Sequence, residues 1–230
     1  MRRPQLVWLK RDLRIEDHKP LFEASLRGPC VVLYIYEPEV ISGPDYDARH
    51  LLFINESLRA LSDALKKLGS TLTIQRGEAV EVLSALHRRH GFEALYSHEE
   101  TGNAVTFARD LRVKAWANEV GLRWHEYRQF GVVRGLKNRD GWAKQWNQMM
   151  AQPTAAVPTQ IEALLDVTSC GVLPPGELGL SSIDAEPFQR GGSEQARRVL
   201  RSFLNQRGQA YQFEMSSPLF TVDAFPISSV

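Results

Sequence analysis

The sequence predicts an α/β domain in which five short parallel strands form one doubly wound sheet with helices on both faces. Two apolar runs of strand length, residues 6–9 and 30–36, show no polar alternation, as strands buried on both faces require. Later strand-like runs are separated by stretches whose apolar residues fall at gaps of three and four, the period of an amphipathic helix. Three of these stretches stop at a glycine, Gly69, Gly91 or Gly121, and a new strand-like run begins within two residues. Strand, helix, glycine, strand is the repeating unit of a Rossmann-like sheet.

The first strand, Leu6-Val-Trp-Leu, changes abruptly into Lys10-Arg-Asp-Leu-Arg14. It therefore delivers charged groups to its carboxyl end, where open α/β sheets place their ligands. A short helix follows from Pro20, started by Asp17 or His18 with the proline in its first turn. Residues 30–36 form the second strand. Leu51, Ile54, Leu58, Leu61, Leu65 and Leu68 mark a long helix over 47–68. Strands over 71–75, 92–97 and 122–127 alternate with helices over 78–90 and 103–120, the last with Val105, Ala108, Leu111 and Ala115 on its apolar face.

Beyond residue 130 the character changes. The stretch from Arg134 to Trp146 interleaves basic and aromatic residues; Trp142 and Trp146 lie four apart, so they either pack on one helical face or offer stacking surface to nucleic acid. Residues 151–191 hold five of the twelve prolines and read as a linker laid over the surface. A last helix over 193–207 carries Ala196, Val199, Leu200, Phe203 and Leu204 on one side and needs a partner surface, which a second copy of the chain would supply. The expected organisation is an α/β domain over 1–131, a helix and linker over 132–191, and the start of another domain over 192–230.

Composition narrows the function classes. Lys+Arg of 28 against Asp+Glu of 27 gives a net charge of +1, so bulk charge does not call for a nucleic-acid partner. Cys30 and Cys170 have no metal or disulfide spacing and read as free thiols of a reducing compartment. With no apolar leader and no apolar run of membrane-spanning length, the expected location is the cytoplasm and no membrane partner is implied. No dinucleotide glycine motif, phosphate-loop lysine, His-Glu-x-x-His or Cys-x-x-Cys occurs, so no metal site is expected.

The chemistry left is at the strand ends. Lys10 to Arg14 are either a solvated turn or an anion or docking site, because guanidinium groups bind phosphates and carboxylates bidentately. Tyr34, Ile35 and Tyr36 are either core or the wall of a site. His98-Glu-Glu-Thr-Gly102 either caps the next helix or accepts hydrogen bonds from a ring ligand. His50, His87, His90 and His125 read as structural, and no residue is assigned as a catalytic acid, base or nucleophile.

Together these pieces resemble the N-terminal domain of the DNA photolyase/cryptochrome family. Leu6-Val-Trp-Leu-Lys-Arg-Asp-Leu-Arg-Ile-Glu-Asp-His-Lys-Pro-Leu21 is similar to that family's strand-one signature. Pro38 after strand two, Arg49 early on the long helix, Gly77-Glu78, Arg109-Asp110 and Gly191-Gly192 follow in the family's order. The resemblance implies a blue-light flavoprotein whose α/β domain holds an antenna chromophore, a deazaflavin, folate or flavin, and whose helical domain holds FAD. Carried over residue by residue, the antenna pocket comprises Arg11, Tyr34, Ile35, Tyr36, Tyr46, Arg49, Glu100 and Thr101. The loop after strand four departs from the family pattern at Glu100, Gly102 and Asn103. Tyr211 matches a tyrosine that contacts FAD, and Met215-Ser-Ser-Pro218 resembles the segment after it.

The remainder of the FAD domain is not in the sequence, so the chain is expected to be a truncated antenna domain that retains no FAD and is inactive alone. Its partners would be the FAD-binding domain and, through a full-length parent, DNA. That parent would be a deoxyribodipyrimidine photo-lyase, a carbon-carbon lyase, or a cryptochrome photoreceptor. The alternative is a stand-alone nucleotide- or anion-binding or interaction module of similar fold.

Overall fold

A computed structural model describes residues 2–181, 189–209 and 211. Met215-Ser-Ser-Pro218 lies outside the described residues. Five strands, β1 (Gln5–Leu9), β2 (Cys30–Tyr36), β3 (Leu72–Arg76), β4 (Ala94–His98) and β5 (Arg123–Tyr127), form one sheet in the order β3-β2-β1-β4-β5. Every pairing is parallel. The register sets Leu9 against Tyr34, Val7 against Tyr96, and His98 against Tyr127, so the carboxyl ends lie along one edge. The strand order reverses between β1 and β4, and ligands of such sheets bind outside the strand ends at that switch point.

Seven α-helices accompany the strands among the described residues: α1 (Lys19–Ser25), α2 (Pro38–Ile41), α3 (Ala48–Lys67), α4 (Ala79–His90), α5 (Ala104–Glu119), α6 (Trp142–Met150) and α7 (Ser193–Ser202). All of β1 and β2 is buried, which explains their unbroken apolar sequences. One face of the sheet presents Leu6, Trp8, Val31, Leu33, Ile35 and Leu95 to Leu83 and Leu86 of α4 and Val113, Trp116 and Ala117 of α5. On the other face α1 buries Pro20, Leu21 and Ala24.

The helix ends follow local chemistry. His18 starts α1: its Nδ1 accepts the amide of Leu21 at 3.1 Å. Glu78 and Asn103 cap α4 and α5 by accepting the amides of Glu81 and Thr106. Gly91 ends α4 at φ 63°, a left-handed conformation that disfavours any side chain.

The apolar face expected for α5 is corrected. Leu111 is exposed, and Phe107 with it, whereas Thr106, Arg109, Asp110, Val113, Trp116 and Ala117 are buried. The helix turns a charged pair inward because that pair is neutralised at the strand ends, so side-chain polarity misassigns the face.

The chain divides into two compact units, one comprising residues 1–46 and 62–171, the other 47–61 and 172–230. In the first, the proline-rich segment covers the free edge of the sheet. Cys170 donates its amide to the carbonyl of Ile74 at 2.8 Å, Ile74 donates to Ser169 Oγ at 2.9 Å, and Ala163 bridges to Cys30. An otherwise open β3 is thereby blunted. Of the two cysteines, Cys30 is buried and Cys170 exposed.

In the second unit, Gly191 and Gly192 meet the first half of α3. Their amides donate to Glu56 Oε2 at 2.7 Å and Ser57 Oγ at 3.1 Å. A Cβ on Gly191 would stand 2.3 Å from the carbonyl oxygen of Phe53, and Gly192 has φ 104°. The glycine pair is thus required by close backbone approach and by conformation. Arg190 pairs with Glu56 at 2.8 Å. Among the described residues no helix is long and apolar enough to cross a membrane.

Candidate functional site

The strand ends converge on a buried ion network. Lys10 follows β1, Glu37 follows β2, Glu100 lies just beyond β4, Glu126 is in β5, and α5 supplies Arg109 and Asp110. The Arg109 guanidinium donates to Glu37 at 2.5 Å, to Asp110 at 2.9 Å and to Glu100. Lys10 Nζ lies 3.3 Å from Asp110 and 4.9 Å above the Trp8 ring, which also faces Arg109 at 4.8 Å. Arg134 binds Asp110 at 3.2 Å and Glu126 at 3.1 Å, and Arg11 closes the array with a 3.0 Å pair to Glu100.

Lys10, Arg11, Arg109 and Arg134 thus balance Glu37, Glu100, Asp110 and Glu126, and burial is tolerated because each charge has a partner. The titration shifts record the competition. Burial lowers the pKa of Lys10, against the attraction of Asp110. Burial likewise pushes the Glu37 carboxyl up to about 7 in spite of Arg109, and raises Glu126. For Arg109 burial works against the charge, but Glu37, Glu100 and Asp110 outweigh it and raise its pKa.

Arg11 differs from the other cations. Its side chain is 63% exposed, while that of its partner Glu100 is 7% exposed. Tyr34 and Tyr36 lie inside, their rings edge to face at 5.1 Å, and burial raises the Tyr34 hydroxyl well above its usual pKa. Burial also raises Tyr46, to about 12. Ile35 points into the core between sheet and helices, and Thr101 is exposed. Arg49 belongs to the other compact unit, where it folds back onto Asp47 at 2.8 Å. Tyr211 sets its ring edge-on to Phe203 at 5.4 Å. The structure therefore joins Arg11 to Glu100 and Tyr34 to Tyr36, and turns Ile35 into the apolar core.

Beside the network lies a groove of about 210 Å³ lined by Glu37, Pro38, Glu39, Glu78 and Ala79. Arg112 spans it, 2.6 Å from Glu39 and 3.5 Å from Glu78. That volume is below the roughly 300 Å³ at which pockets for drug-sized ligands begin.

A second buried constellation was not singled out by the sequence. Asp12 Oδ2 lies 2.6 Å from His98 Nδ1 and 2.8 Å from His18 Nε2, and its Oδ1 accepts the amide of Lys10 at 2.8 Å. Burial would raise this carboxyl, but His18 and His98 outweigh it and hold it well below the usual carboxylate range. Burial lowers the pKa of His98, against the hydrogen bond to Asp12 that raises it.

These three are the one group of metal-ligating side chains among the described residues, with ligand atoms within 4.8 Å of one another. Their geometry is that of a hydrogen-bonded clamp. The nitrogen-to-oxygen spacings are direct contacts too short for a metal bound at about 2 Å from each ligand. His18 Nδ1 is occupied by the Leu21 amide, which leaves the proton on Nε2 facing Asp12, although poorly aligned with it. The sequence signal was the pairing of buried-strand residue His98 with the opening charge cluster, visible only once β1 and β4 are known to be neighbours.

A doubly wound parallel sheet with paired charges and buried aromatics at its switch point defines the class as a Rossmann-like α/β domain. The comparisons supply the family. The family model described as DNA photolyase matches residues 5–134, more than half of the chain. The chain belongs to the DNA photolyase family.

It is 36% identical over 118 residues to cryptochrome DASH of Gloeobacter violaceus, covering 46% of this chain and 23% of that protein. It is 34% identical over 114 residues to the deoxyribodipyrimidine photo-lyase of Thermus thermophilus, covering 48% of this chain and 26% of the other. The fold is similar to the crystal structure of a class III photolyase from Agrobacterium tumefaciens, with a TM-score of 0.74 at 22% identity, covering 93% of this chain and 47% of that one. The aligned region thus spans less than half of each of these relatives.

Proposed function

We propose that this domain holds an antenna chromophore of the deazaflavin, flavin or folate class for a photolyase-type blue-light flavoprotein. The observation that carries the reading is the Arg11–Glu100 pair at the switch point: an exposed cationic fork 3.0 Å from a carboxylate on the neighbouring strand end. That donor set matches a heteroaromatic edge on which carbonyl and N–H groups alternate, with the guanidinium donating to the carbonyls and the carboxylate accepting from the N–H. Tyr34 and Tyr36 support the ring from within the fold, and the network around Arg109 holds Glu100 in place.

A chromophore held there would supply light absorption and non-covalent energy transfer to the FAD of the whole protein. The residues of this chain bind and orient it and limit its contact with water; none transfers a proton or forms a bond. In the whole protein, the FAD would drive repair of pyrimidine dimers in DNA or a photoreceptor signal. Both outcomes use the same α/β domain.

One observation favours a second reading, a nucleotide- or anion-binding module. Arg128, just past β5, buries its Nε and one terminal nitrogen with no hydrogen-bond partner among the described residues. An anion would satisfy those donors. The absorption spectrum of the purified protein separates the two. A band at or above the visible edge supports the antenna reading. A colourless protein that binds AMP or ATP, and loses that binding in Arg128→Ala, supports the module.

A further inference from the structure

We infer that α6 and the loop before it form a binding surface for single-stranded nucleic acid, separate from the strand-end site. Nothing on α6 is buried. Trp142, Trp146 and Met150 follow one another at intervals of four and are 42%, 41% and 44% exposed, so this stripe lies open. The two indoles are 6.5 Å apart with their planes tilted by 42°, which presents two aromatic surfaces rather than one closed stack.

Trp146 is held in place. A Cβ on Gly131 would stand 1.9 Å from its ring, so one part of the indole rests directly on the Gly131 backbone while the remainder faces solvent. Bases stack on rings fixed in this way at little entropic cost.

Charge selects the occupant. Lys137, Arg139 and Lys144 are exposed and make no ion pair among the described residues, and Asp140 is the one acid between residues 135 and 150. Elsewhere on this unit exposed arginines such as Arg112 and Arg123 are paired with glutamates. Free cations flanking exposed indoles complement a strand that offers phosphates and unstacked bases. They do not complement an apolar protein face.

The test is quenching of tryptophan fluorescence by an oligothymidylate of roughly a dozen nucleotides, added to the full chain at low salt. Saturable quenching is expected, with affinity falling as salt rises at a logarithmic slope of about −2, the value for three neutralised phosphates on a single strand. Trp142→Ala and Trp146→Ala should each weaken binding roughly ten- to hundredfold. The triple variant Lys137→Glu, Arg139→Glu, Lys144→Glu should abolish it, and Lys137→Gln with Lys144→Gln should flatten the salt slope. Unchanged urea midpoints in these variants establish that the fold is intact.

Absence of quenching, binding that survives charge reversal, quenching that follows protein concentration alone, or tighter binding to anionic phospholipid vesicles would each overturn the inference. The residues tested lie outside the proposed chromophore site, so either result leaves that reading to its own experiment.

Discussion

Asp12 carries a charge that water does not reach, and two imidazoles and a backbone amide replace its hydration. Asparagine would remove the charge and set an NH2 donor in place of one of the two acceptor oxygens, against either the imidazoles or the Lys10 amide. Asp12→Asn should therefore cost about 2–4 kcal/mol in urea denaturation at neutral pH. A loss under about 0.5 kcal/mol would show that the clamp is incidental.

Glu37 gives the pH signature. Its folded pKa, about 7, lies above the ordinary carboxylate value because of burial. A raised pKa means that the fold favours the protonated form. The contribution is complete below about pH 4.5 and is lost as pH rises through 7. Relative to wild type, Glu37→Gln should gain roughly 1–3 kcal/mol between those pH values. A flat difference curve would mean that Glu37 is ionised in the fold throughout.

At the level of elements, α5 separates packing from polarity. Val113 is fully buried and Leu111 is 53% exposed, although the sequence favours Leu111 as the core residue. Val113→Ala should cost about 1–3 kcal/mol through its cavity, and Leu111→Ser should change stability by less than about 0.5 kcal/mol. Thermal denaturation of the pair checks this, and equal losses would contradict the assigned face.

The same helix shows why some elements were legible and others were not. Strands β1 and β2 advertise themselves because both faces are apolar, and α4 because Glu78 and Gly91 bracket it. The inward face of α5 is marked by Arg109 and Asp110, which only a charged environment accepts. That environment comes from Lys10, Glu37, Glu100 and Arg134, distant in sequence and brought together by strand order. Short α2 begins at Pro38, and no periodicity can reveal a helix of four residues.

Across the molecule, the opening strand organises the sheet by topology rather than by chemistry of its own. Lying between β2 and β4, it places Lys10, Arg11 and Asp12 at the switch point, and each takes a different task. Lys10 joins the buried network, Asp12 locks the turn into α1, and Arg11 alone remains largely exposed. Of the residues carried over from the family resemblance, Arg11 and Glu100 meet, as do Tyr34 and Tyr36, because neighbouring strands or alternate positions of one strand bring them together. Ile35 faces the opposite side of the sheet for the same reason, the two-residue alternation of a strand. The His18–Asp12–His98 clamp escaped the sequence because His98, on β4, is 86 residues from Asp12 and meets it only through the pairing of β1 with β4.

Equilibrium titration of the purified chain with a deazaflavin, a flavin and a folate, repeated with Arg11→Ala, tests the central claim most directly. Saturable one-to-one binding of at least one of them is predicted, weakened at least about tenfold in the variant with an unchanged thermal midpoint, since one charge-assisted hydrogen bond is worth about 1.5–3 kcal/mol. Failure of all three to bind, or binding that Arg11→Ala leaves untouched, would contradict it.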